Sequence, residues 1–373
     1  MMSKNGKVES ALLAFIIFLF SPAVYAFCHQ EDYELEFILK GKIGSEDKRE
    51  ELFFDITDVK ADAKGNIFIL DSRNNCVRKF SKELAFLGEA GRQGQGPGDM
   101  NSPSSLAIDA RGNVFIADNG NMRINVLDNN LEYIKSIKLI KSVSINEIFI
   151  DNAGNILLLV APMLKDDSYF HLYSSEGGFL KSFFGEFHPF APKMNSAKEL
   201  RENIPSLVYL GAQAALSHDR SQIAITYYVP ENPLIIHIID TEGNSIQKIK
   251  RTINGYNPDK QLEVIKNVVQ KKATGLQGTH VVSYALGLNF TADRNLVLQR
   301  YDQIYEDGKP ANYNTCLDLF SPDGKLLLEV KESPGQIISI DNNNNAYVCP
   351  YPERSQVVIY TLVVKKKTVN NIF

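Results

Sequence analysis

Tryptophan is absent from this chain of 373 residues, histidine occurs six times and cysteine four times. The first absence removes the residue best suited to stacking on a sugar ring, although 16 tyrosines and 21 phenylalanines leave ample aromatic surface. Basic charge is not in excess: 40 Lys and Arg stand against 44 Asp and Glu, a formal net charge of -4, which gives no electrostatic footprint for nucleic acid. No Gly-x-Ser-x-Gly elbow, Walker loop, His-Glu-x-x-His or dinucleotide fingerprint occurs. The glycine-rich stretch GRQGQGPG at 91–98 lacks the strand and helix that would make it a phosphate loop. Cys28, Cys76, Cys316 and Cys349 match no zinc spacing, and they allow either three disulfide pairings or buried free thiols. Apolar residues at 44% and charged residues at 23% exclude a disordered chain.

Long hydrophobic runs are also missing, except ALLAFIIFLF at 11–20, which is too short to cross a bilayer. Lys4 and Lys7 precede it, and Ser21, Pro22 and Val24-Tyr25-Ala26 follow. That order reads as a secretory signal peptide cleaved after Ala26, with a retained anchor as the alternative. Lipid attachment at Cys28 is disfavoured because Phe27 stands where the processing peptidase requires a small residue. The mature chain is therefore expected outside the cytoplasm, in the periplasm, cell envelope or medium, as a monomer without an integral span.

What is present is a repeat. Its plainest copies are SSLAIDARGNVFIADNGNMRINVLDNNLEYIKSIKL at 104–139 and DITDVKADAKGNIFILDSRNNCVRKFSKELAFLGEAG at 55–91. Each reads as four short strands. The first ends in Asp-x-x-Gly-Asn, a turn in which Asp bonds nearby backbone and Gly accepts positive φ. The second, IFIL or VFIA, is apolar on both faces and so predicts a fully buried strand. Further copies begin near Ser144, Gly211, Ser283 and Gly335, making six. Their anchoring turn residues lie 42 to 50 positions apart, or 67 and 73 where an insertion intervenes. Four strands at this period predict an all-β, six-bladed β-propeller with blade cores near 55–91, 102–139, 144–184, 211–250, 283–330 and 334–364. The whole of 27–367 would be one domain, followed by a tail at 368–373. An unpaired edge on the last blade would be exposed, and the lone strand-like segment 33–44 is expected to close it.

The pattern Pro-x-x-hydrophobic-Ala-hydrophobic-Asp, Gly-Asn-Val-aromatic-hydrophobic-Ala-Asp, Asn-x-Arg-Ile is met by Pro103 to Asp109, Gly112 to Asp118 and Asn121 to Ile124. It resembles the NHL repeat of bacterial six-bladed β-propellers. In the first copy Cys76 replaces the Arg123 equivalent, and later copies depart further. The resemblance implies the architecture but no single activity, since such propellers include binding scaffolds, lyases and lactonases. The family's amidating lyases use histidines from several blades, a pattern not matched here.

The longest connections predicted, 161–168, 229–233, 302–314 and 350–355 with insertions at 191–210 and 251–280, fall on one face. The leading expectation is a binding or scaffold protein that uses this face for a protein, peptide or glycan, through Tyr228, Tyr301, Asp302, Tyr305, Tyr313, Tyr351 and Arg354. The same aromatics could instead cap blade ends. An amphipathic helix is expected at 259–272, from Leu262, Ile265, Val268 and Val269. The second expectation is a hydrolase or lyase with a divalent cation, calcium or zinc, held in the channel by Asp58 and Glu147, against solvated channel carboxylates as the plain alternative. Asp71, Asp118, Asn121 and Arg123 are read as hydrogen-bonding residues of the blade turns.

Overall fold

The computed structural model describes residues 23–25, 33–140, 143–161, 168–184, 212–227, 234–253, 279–306, 309–350 and 354–367. The chain is all-β, with six antiparallel sheets in a ring. Blade one comprises Ile56–Ala61, Ile67–Asp71, Cys76–Phe80 and Phe86–Ala90 from the channel outward, and blade two Pro103–Ile108, Val114–Asp118, Arg123–Leu127 and Tyr133–Lys138. Blade three is Ile145–Ile150, Ile156–Val160, Phe170–Tyr173 and Phe179–Phe183, and blade four Gln213–Leu216, Gln222–Thr226, Ile235–Asp240 and Ser245–Lys250. Blade five is Thr279–Phe290, Leu296–Glu306, Lys309–Phe320 and Leu326–Val330. Blade six has Gln336–Ile340, Asn345–Cys349 and Val357–Lys366 from the end of the chain and takes its fourth strand, Tyr33–Ile43, from the beginning. That closure is the one expected from the sequence, with Leu35 opposite Val364 and Ile43 opposite Val357. A short strand, Ala23–Tyr25, adds outside it.

The ring is cemented at its seams. Six hydrophobic clusters are buried, and each joins two adjacent blades: Phe68, Leu70 and Val77 meet Leu106 and Ile116 between blades one and two, and Ile43, Tyr347 and Val357 meet Phe53, Ile56 and Ile69 between six and one. Second strands are buried at nearly every residue, as the continuous apolar runs IFIL and VFIA require. Burying one such Leu, Ile or Phe contributes about 1.5–3 kcal/mol, so each seam resists opening.

Turns between strands one and two are tight. Asp62 Oδ1 accepts from the backbone N–H groups of Lys64 and Asn66, and its Oδ2 from Asn66 Nδ2 at 2.8 Å. Asp109, Asp151 and Asp341 repeat this arrangement. One expectation fails in blade five. The stretch 302–314, read as a loop, is the distal part of a long hairpin whose strands extend to Glu306 and resume at Lys309. Likewise, His280 belongs to the inner strand and not to an insertion. The helix expected at 259–272 and the signal peptide with Cys28 lie outside the described residues, apart from 23–25.

Candidate functional site

The first strands line a central channel. Asp58 of blade one and Glu147 of blade three do converge there, but Lys60 stands between them, its Nζ 2.9 Å from Asp58 Oδ1 and 3.6 Å from Glu147 Oε1. Asp58 is otherwise spent on structure: its Oδ2 accepts from Ser105 Oγ and from the Leu106 N–H, both at 2.9 Å. Ser105 Oγ in turn accepts from the Ile148 N–H at 3.2 Å, so the carboxylate stitches three blades together. An internal ammonium thus supplies the positive charge that these two carboxylates demand. Burial pushes the Glu147 carboxyl up to about 7 against the pull of Lys60, and the negative charge of Asp58 adds to the rise. Among the described residues no cluster of His, Cys, Asp and Glu has the arrangement of a metal site.

On the face carrying the connections from strand two to three and from one blade to the next, the repeat's aspartates organise the loops. Asp71 accepts from the N–H groups of Phe54 and Asp55 and from Asn74 Nδ2, at 2.9, 3.2 and 2.8 Å. Asp118 does the same for Asn101, at 2.6 Å, and pairs with Arg123 at 2.8 Å. The Arg123 guanidinium also donates to the carbonyls of Gln95, Gly96 and Asp99, so it fixes the glycine-rich loop before blade two. In blade one, where Cys76 takes the arginine position, Arg78 two residues on donates to Leu52 O at 2.7 Å and assumes that task. Asp71, Asp118, Asn121 and Arg123 thus spend their polar groups on the blade turns and the loops beside them, as their repetition suggested.

Two adjoining grooves open on this face beside blade one, the larger at its seam with blade six. The larger, about 800 Å³, is lined by Leu52, Phe54, Asp55, Arg73, Arg354 and neighbouring backbone, and the smaller, about 580 Å³, includes Arg49, Arg92, Phe86 and the same Leu52 and Phe54. Phe54 is 53% exposed although its backbone is pinned by Asp71. Arg354 donates to Gln336 Oε1 at 2.7 Å at this seam. Sequence reading identified Arg354 but missed Phe54, which neighbours the buried Phe53 before the blade and carries no signal of its own in the sequence.

The other expected face residues separate into two groups. Tyr301 donates its hydroxyl to Gln303 Oε1 at 3.0 Å on the hairpin of blade five. Asp302 is buried and holds Arg300, so it faces inward and does not line the 800 Å³ groove with Arg354. Tyr228 and Tyr351 lie outside the described residues, as do the side chains of Tyr305 and Tyr313.

Ring, closure and blade turns together define the chain as a six-bladed β-propeller. More particularly, it carries an NHL repeat: the family model of that description matches residues 100–127, the greater part of blade two. Among solved structures the chain is similar to a member of the DUF4221 family from Bacteroides vulgatus, with TM-score 0.57 and 9% identity over 89% of this chain and 99% of that one. It is also similar to a Bacteroides fragilis protein whose name assigns it as exported, with TM-score 0.53 and 13% identity over 90% and 96%. A virginiamycin B lyase from Staphylococcus aureus aligns at TM-score 0.48 and 11% identity over 89% and 100%. At these identities the likenesses concern the fold alone. No curated protein matches the chain in sequence. Among the described residues no helix is long and apolar enough to cross a membrane.

Proposed function

We propose that the protein is an exported binding module that takes a peptide segment of a partner protein on the loop-bearing face, in the grooves beside Phe54. The observation that carries this reading is an aromatic side chain left half exposed on a loop anchored by a buried carboxylate, with Arg73 and Arg354 along the same groove. An anchored aromatic with flanking arginines is the composition of an interface hot spot, because little conformational entropy remains to be lost on binding. The basic and apolar segment at 4–20 supports export, and the connections expected on this face at 161–168, 229–233 and 350–355 would widen the surface. The alternative of a hydrolase or lyase with a divalent cation at Asp58 and Glu147 has the Lys60 ammonium against it.

The test is affinity capture from the envelope fraction with the wild type and with the double variant F54A/R354A, both verified as folded by circular dichroism. A partner that is retained by the wild type and at least tenfold depleted with the variant supports the reading. An undiminished partner on the variant would remove the grooves from consideration.

A further inference from the structure

The turn between strands one and two carries one residue of left-handed conformation in every blade. In blades one to three it is Gly65, Gly112 or Gly154, with φ of 83°, 88° and 81°. In blades four to six, Arg220, Arg294 and Asn344 occupy it at 58°, 61° and 58°. The backbone contact is the same, with the Gly65 N–H bonded to Asp62 O and the Arg220 N–H to Ser217 O. Asparagine tolerates this region through its short polar side chain, whereas an arginine there costs on the order of 1–2 kcal/mol that glycine would not.

For Arg294 the compensation is visible: its guanidinium pairs with Asp219 of the neighbouring blade, outside the channel. Arg220 has no such partner among the described residues. Its Nη2 donates to Ile108 O at 3.0 Å, a bond from blade four to blade two with blade three between them in the ring. The side chain therefore reaches over the mouth of the channel, which on the face of the tight turns opens into a cavity of about 650 Å³. That volume lies within the range of small-molecule sites.

The lining favours an anion. Asp62, Asp109 and Asp341 belong to it, but both oxygens of each are turned into their own tight turns. Glu147 is held by Lys60. The Arg220 guanidinium, by contrast, has given one N–H to a neutral carbonyl. Asn289, on the inner strand of blade five, is 8% exposed and lines the same cavity, where its side-chain amide adds polar groups that a ligand can meet. Ala107 and Ala215 leave the space, and Phe149 offers an apolar wall.

We propose that this channel mouth binds a small organic anion, whose carboxylate or phosphate group takes the open edge of Arg220 and whose hydroxyl or carbonyl groups meet Asn289. The planar guanidinium suits either oxyanion, through paired charge-assisted hydrogen bonds. The site is on the face opposite the Phe54 grooves and does not rest on their role.

Isothermal titration of the intact protein with glucuronate, citrate, glucose 6-phosphate and inorganic phosphate tests it, the two carboxylates and the two phosphates separating the chemistries. Saturable binding of at least one is expected. The variant R220G restores the glycine of the first three blades, so its melting temperature should equal or exceed that of the wild type while affinity falls at least tenfold. N289L should also weaken binding, whereas R294G, which relieves the same backbone conformation outside the cavity, should leave it unchanged. Absence of binding to all four probes, unaltered affinity in R220G, or an equal loss in R294G would overturn the proposal.

Discussion

Leu84 fills the hollow that Gly41 leaves across the closing seam: a Cβ at Gly41 would stand 2.5 Å from Leu84 Cδ1. Leu84 sits in the turn between strands three and four of blade one, with φ of 67°, and Gly41 on the outer strand of blade six. At two other seams the sizes are reversed. Gly177 and Gly243, with φ of 92° each, receive Ile137 and Phe183 from the preceding outer strand. Each of these three seams thus takes one large and one absent side chain. Gly41→Ala is expected to cost about 1–3 kcal/mol, the range of an overpacked contact. Leu84→Gly in that background should recover part of the loss, because it recreates the arrangement of blades three and four and relieves a left-handed leucine. Urea unfolding midpoints for the two variants check this, and a G41A protein as stable as the wild type would show that the seam has slack.

The architecture was legible in the sequence because its signals are local. Asp62 to Asn66 and Asp109 to Asn113 contain every group needed to close their turns, and the pairing of 33–43 with the last blade follows from an edge that must be covered. The hairpin of blade five was not legible as strand. Its distal residues, YDQIYE and KPANYNT, are mostly polar and so lack the regular apolar alternation that marks a strand in a sequence. The channel was half legible. Asp58 and Glu147 were identified, yet Lys60 is two residues from Asp58 on the same face of one strand, and that spacing already announced an ion pair. Arg220 was missed because a left-handed arginine is visible only when its turn is superimposed on the glycines of the other blades.

The burial of Glu147 beside Lys60 makes stability depend on pH in a defined direction. The folded carboxyl of Glu147 titrates at about 7, above its ordinary 4.5, so folding favours its protonated form. That contribution is fully present below about pH 4.5 and is lost as pH rises through 7. Melting temperature should therefore decline between pH 5 and 8 more steeply in the wild type than in E147Q. K60M removes the ammonium that pulls the carboxyl down, and should move the decline to higher pH. Differential scanning fluorimetry across this range, at constant ionic strength, measures all three; parallel curves for wild type and E147Q would refute the assignment.

Burial also sets the reactivity of the thiols. Cys76, Cys316 and Cys349 are free and buried, and their thiols are pushed up to about 12, 11 and 12. Because the thiolate is the nucleophile, native protein at pH 8 should take up iodoacetamide at these positions far more slowly than a peptide thiol. In urea all three should label, as peptide mass mapping would show. Fast native labelling of Cys316 would mean that the hairpin beside it opens.

The base of that hairpin holds a network of five charged side chains. Arg300, fully buried, meets Asp302 and Glu329 and places its Nε 2.9 Å from Asp318 Oδ2. Arg251 arrives from blade four with Nε 2.8 Å from the same Asp318 oxygen and Nη2 3.0 Å from Glu329 Oε2. Three carboxylates are thus balanced by two guanidinium groups, one of which belongs to the neighbouring blade. Replacing Arg300 by Met keeps much of its volume but leaves the three acids to one arginine, with Asp318 fully buried and Asp302 nearly so. Breaking a buried pair in this way costs about 3–5 kcal/mol, because the abandoned charges are not resolvated. D302N should cost less, since Asp318 and Glu329 would still hold the guanidinium. Hydrogen exchange gives the sharper reading: amides of 296–306 and 309–320 should lose protection in R300M while those of blade two keep theirs. Uniform loss around the ring would instead show that the network braces the propeller as a whole and not the hairpin that projects from it.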